Sequence, residues 1–171
     1  GGKLAAKAMI QGLPNGGKVL ILDYKKAQSC ILRVDGFKDV IAAHNKANPD
    51  KAIEIVAELD GAASEEPSKK ATEDQLNSNP DLKGIFAIND PSALGAVVAL
   101  KKANKLNNIK VIGFDGQLIG KQAILKGEIY ADPIQFPKEI GKLTVQQMLK
   151  YKNGDEVQKE ILIDTKLYFQ A

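Results

Sequence analysis

The feature that most constrains how this chain can fold is a regular alternation: short unbroken apolar runs take turns with longer segments whose apolar residues recur at helical spacing. KVLILD (18–23), GIFAI (84–88) and KVIGFD (110–115) are runs of the kind buried on both faces of a parallel sheet, and AIEIVAE (52–58) and EIYADPIQ (128–135) read as further strands. Helical spacing marks 3–11, 29–47, 66–78, 90–103 and 117–127; in the second of these, Ile31, Val34, Phe37, Val40 and Ile41 form one stripe. Pro14-Asn15-Gly16-Gly17 and Asn48-Pro49 supply stops, and Asp90-Pro91 opens a helix directly after a strand. Strand and helix in steady succession require crossover connections, so the predicted architecture is an α/β doubly wound parallel sheet with helices on both faces. After Phe136 the rhythm changes. Pro137 to Tyr151 reads as a helix stopped at Asn153-Gly154, and KEILIDTKLYF (159–169) as a strand or extended tail.

Several function classes drop out on composition and spacing. A net charge of +3 with lysines and acids interspersed is too weak and too even for a phosphate-tracking surface, so no nucleic-acid partner is expected. No apolar run reaches the roughly 18 residues of a membrane span, and GGKLAAKAMI lacks the apolar block of a signal peptide; the expectation is a soluble chain with no direct membrane insertion. One cysteine, Cys30, and one histidine, His44, supply neither a disulfide framework nor a zinc site. Gly16-Gly17 precedes a strand where a phosphate loop would follow one, and Asp115 lacks the acidic pair that a phospho-acceptor needs. No nucleophile with its base can be assembled, so the chain is not read as an enzyme, and no cofactor or metal is expected.

In a doubly wound sheet the ligand crevice lies beyond the carboxyl ends of the strands. Four polar residues belong there: Asn89 directly after GIFAI, Asp115 at the end of KVIGFD, Gln135 at the end of the last strand, and Arg33 in the first turns of the helix after KVLILD. Of 24 basic residues Arg33 is the one arginine, which suits a position where a planar fork is needed. A carboxylate, two amides and a guanidinium match the donors and acceptors of vicinal hydroxyls better than they match a catalytic set. Plainer readings stand beside this one: Asn89 and Asp115 as helix caps, Arg33 as a solvated residue paired with Asp35 or Asp39, and Gln135 as an edge-strand residue beside Pro133.

The segments GGKLAAKAM, RVDGF (33–37), Asn89-Asp90 with Ala93-Leu94-Gly95, GFDG (113–116) and PIQFP (133–137) occur in an order and spacing that resembles the ribose-binding protein family, the periplasmic sugar binders of ABC transporters. The same fold serves as the effector domain of LacI-type repressors. The resemblance implies a type I periplasmic binding protein lobe. The family's ligand-binding arginine, asparagine, aspartate and hinge glutamine fall on Arg33, Asn89, Asp115 and Gln135. Where ribose binders carry a second-lobe aromatic that stacks on the sugar, the spacing puts Ala63.

Family members have two similar lobes, and this chain resembles the second. The implied organisation is a sugar-binding lobe over 1–136, a helix over 137–157 that would belong to a missing N-terminal lobe, and a final hinge crossing and tail over 158–171. The implied function is capture of a small carbohydrate by hinge closure and its presentation to an ABC permease, in the periplasm or on an extracellular lipid anchor. The effector domain of a LacI-type regulator is the alternative reading, and a sensory receptor on the same fold a third. Exposed, the apolar residues Ile140, Leu143, Val145, Met148 and Leu149 would need a cover, either this chain's own lobe or, as expected here, a second copy.

Overall fold

A computed structural model describes residues 1–169. Helix α1 (Gly2–Gly12) leads into strand β1 (Gly17–Asp23), followed by α2 (Gln28–Ala47), β2 (Ile53–Asp60), α3 (Glu65–Ser78), β3 (Leu82–Ala87) and α4 (Asp90–Lys102). Then come β4 (Lys110–Ile112), α5 (Leu118–Leu125), β5 (Ala131–Ile134), α6 (Pro137–Lys152) and β6 (Lys166–Phe169). The strands form one sheet in the order β2-β1-β3-β4-β5-β6. Strands β1 to β5 are parallel to one another.

The two-sided burial expected of the apolar runs follows from the pleat, which sends successive side chains to opposite faces. Along β1, Val19 and Ile21 join the core under α1 and α2, where Ala5, Met9, Val34, Phe37 and Ile41 pack; Leu20 and Leu22 join the opposite core with Leu76, Ala96, Leu100 and Ile124. Phe37 of α2 stacks on Phe86 of β3 with ring centroids 4.5 Å apart. Helix α2, which follows β1, lies on one face, and α4, which follows β3, contributes to the core on the other. The chain therefore departs in two directions from the adjacent carboxyl ends of β1 and β3, the switch point that opens a crevice in such sheets.

Three expectations need correction. The sheet is not wholly parallel: β6 runs antiparallel to β5, pairing Asp132 with Tyr168 and Ile134 with Lys166. Pro133 thus lies in an interior strand, paired with Leu167, while its carbonyl accepts from the Asp115 N–H on the other side. The strand expected over 110–115 is regular only to Ile112, because Asp115 and Gly116 adopt positive φ angles of 106° and 72°. The strand expected over 128–135 shrinks to four residues, since the Glu128 N–H still bonds Ala123 O in the last turn of α5. No residue of α6 is buried. Ile140, Leu143 and Met148 line an open groove with Val157, Ile161 and Ile163 of the tail, so the helix does not fold back into its own lobe's core. Gln170 and Ala171, the end of the expected tail, lie outside the described residues.

Candidate functional site

The carboxyl edge of the sheet gathers all four expected side chains around one open cavity of about 450 Å³, together with Tyr24, Ser29, Cys30, Ala63 and Gln117. Arg33 is fixed from three directions. Its Nη1 donates to Ile88 O at 2.5 Å, its Nη2 meets Asp115 Oδ1 at 3.0 Å, and its guanidinium carbon lies 3.9 Å from the centroid of the Phe114 ring. Two divergent N–H directions and a flat face are used together, which a lysine cannot reproduce. The reading of Arg33 as a solvated partner of Asp35 or Asp39 therefore fails.

Asp115 is held by backbone and side chain alike. Its N–H donates to Pro133 O and its carbonyl accepts from Gln135 N–H, each at 3.0 Å, which ladders the segment to β5 despite the left-handed φ. Such a backbone strains a residue with a Cβ and persists where surrounding contacts enforce it. Asp115 Oδ1 takes both Arg33 and, at 2.5 Å, the Gln135 Nε2–H. No hydrogen bond engages Oδ2 among the described residues, so a lone-pair acceptor remains beside the cavity. Asp115 caps nothing: α5 begins at Leu118, and the carboxylate serving its first turn is Asp90, whose Oδ2 accepts from Gln117 N–H at 2.7 Å.

Asn89 caps a helix, as its plainer reading has it, and also lines the cavity. Its Oδ1 accepts from Ser92 N–H at 3.0 Å as the cap of α4, and its Nδ2 donates to Ala63 O at 3.0 Å, leaving one N–H of the amide. Ala63 itself has a φ of 51°, so its carbonyl and not a large side chain meets Asn89. Cys30 and His44 lie toward opposite ends of α2. Burial pushes the Cys30 thiol up, against the lowering influence of Arg33, which keeps it protonated. His44 sits far along α2, its Nε2 within 3.2 Å of Lys51 O.

Tyr24, Ser29 and Gln117 were not singled out from sequence. Each follows a strand end within a few residues, the one signal that pointed to them, but polar residues at such joints are too common to discriminate.

The chain belongs to a known family: the model of the periplasmic binding protein domain matches residues 1–156. Ribose import binding protein of Haemophilus influenzae is 34% identical over 168 residues, 98% of this chain and 54% of that protein. D-apiose import binding protein of Paraburkholderia graminis is 30% identical over 152 residues, 88% of this chain and 46% of that one. Among solved structures, an ABC transporter periplasmic solute binding protein from Actinobacillus succinogenes with bound D-allose superposes with a TM-score of 0.92 at 28% identity, covering 99% of this chain and 59% of that one. A solute binding protein from Agrobacterium vitis with bound D-fucose gives 0.87 at 34%, covering 98% and 56%. The chain spans about half the length of the curated relatives it matches.

Proposed function

We propose that this chain is the ligand-gripping lobe of a sugar-capturing component of an ABC importer, and that it binds its ligand without transforming it. The observation that carries this reading is the arrangement of Arg33, Asp115 and Gln135 beside Phe114, with Asn89 on the same cavity. Arg33 and Asp115 neutralise each other, so the site favours neither an anion nor a cation. What it offers is one carboxylate oxygen, amide N–H groups and a fixed guanidinium, the complement of a polyol whose hydroxyls each donate and accept. These groups are oriented before any ligand arrives, which limits the ordering that binding requires.

The resemblance supplies the rest of the reading. Residues 1–136 form the lobe, 137–157 reach toward a further lobe, and 158–169 return as the last hinge crossing, with an ABC permease as the downstream partner. The work is done outside the cytoplasmic membrane, in the periplasm or on a lipid anchor. The relatives named above are importer components, which favours this reading over a transcriptional regulator. Closure on the ligand would bury its hydroxyls between lobes and shift an open-to-closed equilibrium by its better contacts in the closed state. Calorimetry on the chain joined to a first lobe upstream, against a panel of pentoses and hexoses, tests it. Saturable heat is expected for at least one sugar and none for amino acids; the reverse would overturn the reading.

A further inference from the structure

Two carboxyls outside the ligand set, Asp90 at the start of α4 and Asp132 in β5, are fully buried. They meet at Gly113, where a Cβ would lie 3.1 Å from Asp90 Oδ1 and 3.8 Å from Asp132 Cγ. Gly120 gives way too, since a Cβ there would sit 2.2 Å from Asp90 Oδ1. With both groups ionised, Asp90 Oδ2 has a donor in Gln117 N–H, while Asp90 Oδ1 and both Asp132 oxygens have no donor in hydrogen-bonding geometry, the Gly116 N–H lying near Asp132 without closing a bond. Two adjacent anions with three unsatisfied oxygens in a dry interior are strongly unfavourable.

We infer that Asp90 and Asp132 share one proton as a buried acid–carboxylate pair, and that this pair positions the Gly116–Gln117 turn and with it the ligand-facing Asp115. A proton on Asp132 makes it the O–H donor to Asp90 Oδ1. Asp90 stays an anion and accepts the Gln117 N–H in a charge-assisted bond, close to the amino ends of α4 and α5. Charges around the pair oppose one another at Asp90 and add to the burial at Asp132. Asp115 repels both carboxylates, Arg33 is engaged by Asp115, Lys121 of α5 attracts Asp90, and Tyr168 is the titratable residue paired with Asp132 on β6. Burial, then the Asp90 charge, pushes Asp132 up to about 9, with the Gly116 N–H working the other way; burial raises Asp90 to about 6.

Both shifts are upward, so the folded chain holds protons that the unfolded chain releases near pH 4. Stability contributed by the pair is complete below that pH and is lost as pH rises through the folded values, up to about 9. At the alkaline step the shared proton leaves to solvent and the Gln117 end of the turn loosens. The role assigned to Asp115 rests on the sugar-binding reading; the proton and the turn do not.

Carbon-detected NMR of the aspartate carboxyls in the full chain, with no sugar present, tests the inference. One proton is expected to remain on the pair at pH 7 and to leave in an alkaline step that moves the Gln117 and Asp115 amide resonances and lowers the urea midpoint. Asp132→Asn, which keeps an N–H donor toward Asp90, should hold those amides near their neutral-pH positions and abolish the alkaline step; Asp132→Ala should displace them already at pH 7. Titration of both carboxyls near pH 4, or an alkaline step that persists in Asp132→Asn, would overturn it. Should Asp132→Asn not fold, the carboxyl titration of the unsubstituted chain decides alone. A chain that passes this titration but binds no sugar contradicts the sugar-binding reading and leaves the pair standing.

Discussion

At the scale of single residues, the site depends on shape as much as on charge. Arg33 reaches Ile88 O and Asp115 at once while covering Phe114, so Arg33→Lys retains the charge and loses at least one hydrogen bond to a charged group, worth about 1.5–3 kcal/mol. A loss of at least about 10-fold in sugar affinity is expected by calorimetry in the two-lobe protein. Asp115→Ala should lose more, because it removes the free acceptor and strands Arg33; unchanged affinity in either variant would remove that residue from the site. Arg33 was legible in the sequence because it is the one arginine among 24 basic residues, and Asn89 and Asp115 because they end apolar runs. The left-handed backbone of Asp115 was not legible, since tertiary contacts to Pro133 and Gln135 impose it. Nor was the meeting of Asp90 with Asp132: one looks like an ordinary helix-start acid and the other like an outward strand residue.

At the scale of elements, β1 and β3 were readable because their doubly buried stretches, 19–22 and 84–87, hold no polar side chain. Strands β4 and β6 lie in runs that also read as strand or extended chain, but their extents were not readable, for different reasons. The run KVIGFD continues past the point where the backbone leaves strand geometry, and the KLYF segment (166–169) is four residues whose antiparallel partner is far away in the chain. The ALG segment (93–95) shows how a motif can carry packing. A Cβ on Gly95 would lie 2.2 Å from Glu65 O and 2.9 Å from Lys69 N, both backbone atoms of α3. Gly95→Ala must push α3 and α4 apart at a cost of about 1–3 kcal/mol. Thermal unfolding should show Tm lowered by several degrees; an unchanged Tm would mean that the helices separate freely.

At the scale of the whole molecule, α6 is the exposed apolar part. Val145, Met148, Leu149 and Tyr151 are all more than half exposed, between 55% and 73%. An apolar surface of this kind favours association. Sedimentation of the chain at micromolar concentration is expected to show a species heavier than 18.4 kDa, reduced by Met148→Glu with Leu149→Glu; a monomer at every concentration would contradict this. The proposed function requires that a sugar dock on the groups at the carboxyl edge of the sheet. The most direct measurement is NMR of the unmodified chain titrated into the millimolar range with D-ribose, D-allose and D-fucose, following the side-chain N–H resonances of Arg33, Asn89, Gln117 and Gln135. The account predicts that at least one sugar moves these resonances together, saturably, while the Asn45 and Asn48 amides at the opposite end of α2 stay still. Movement elsewhere without movement at these four residues, or no movement with any sugar, would contradict it.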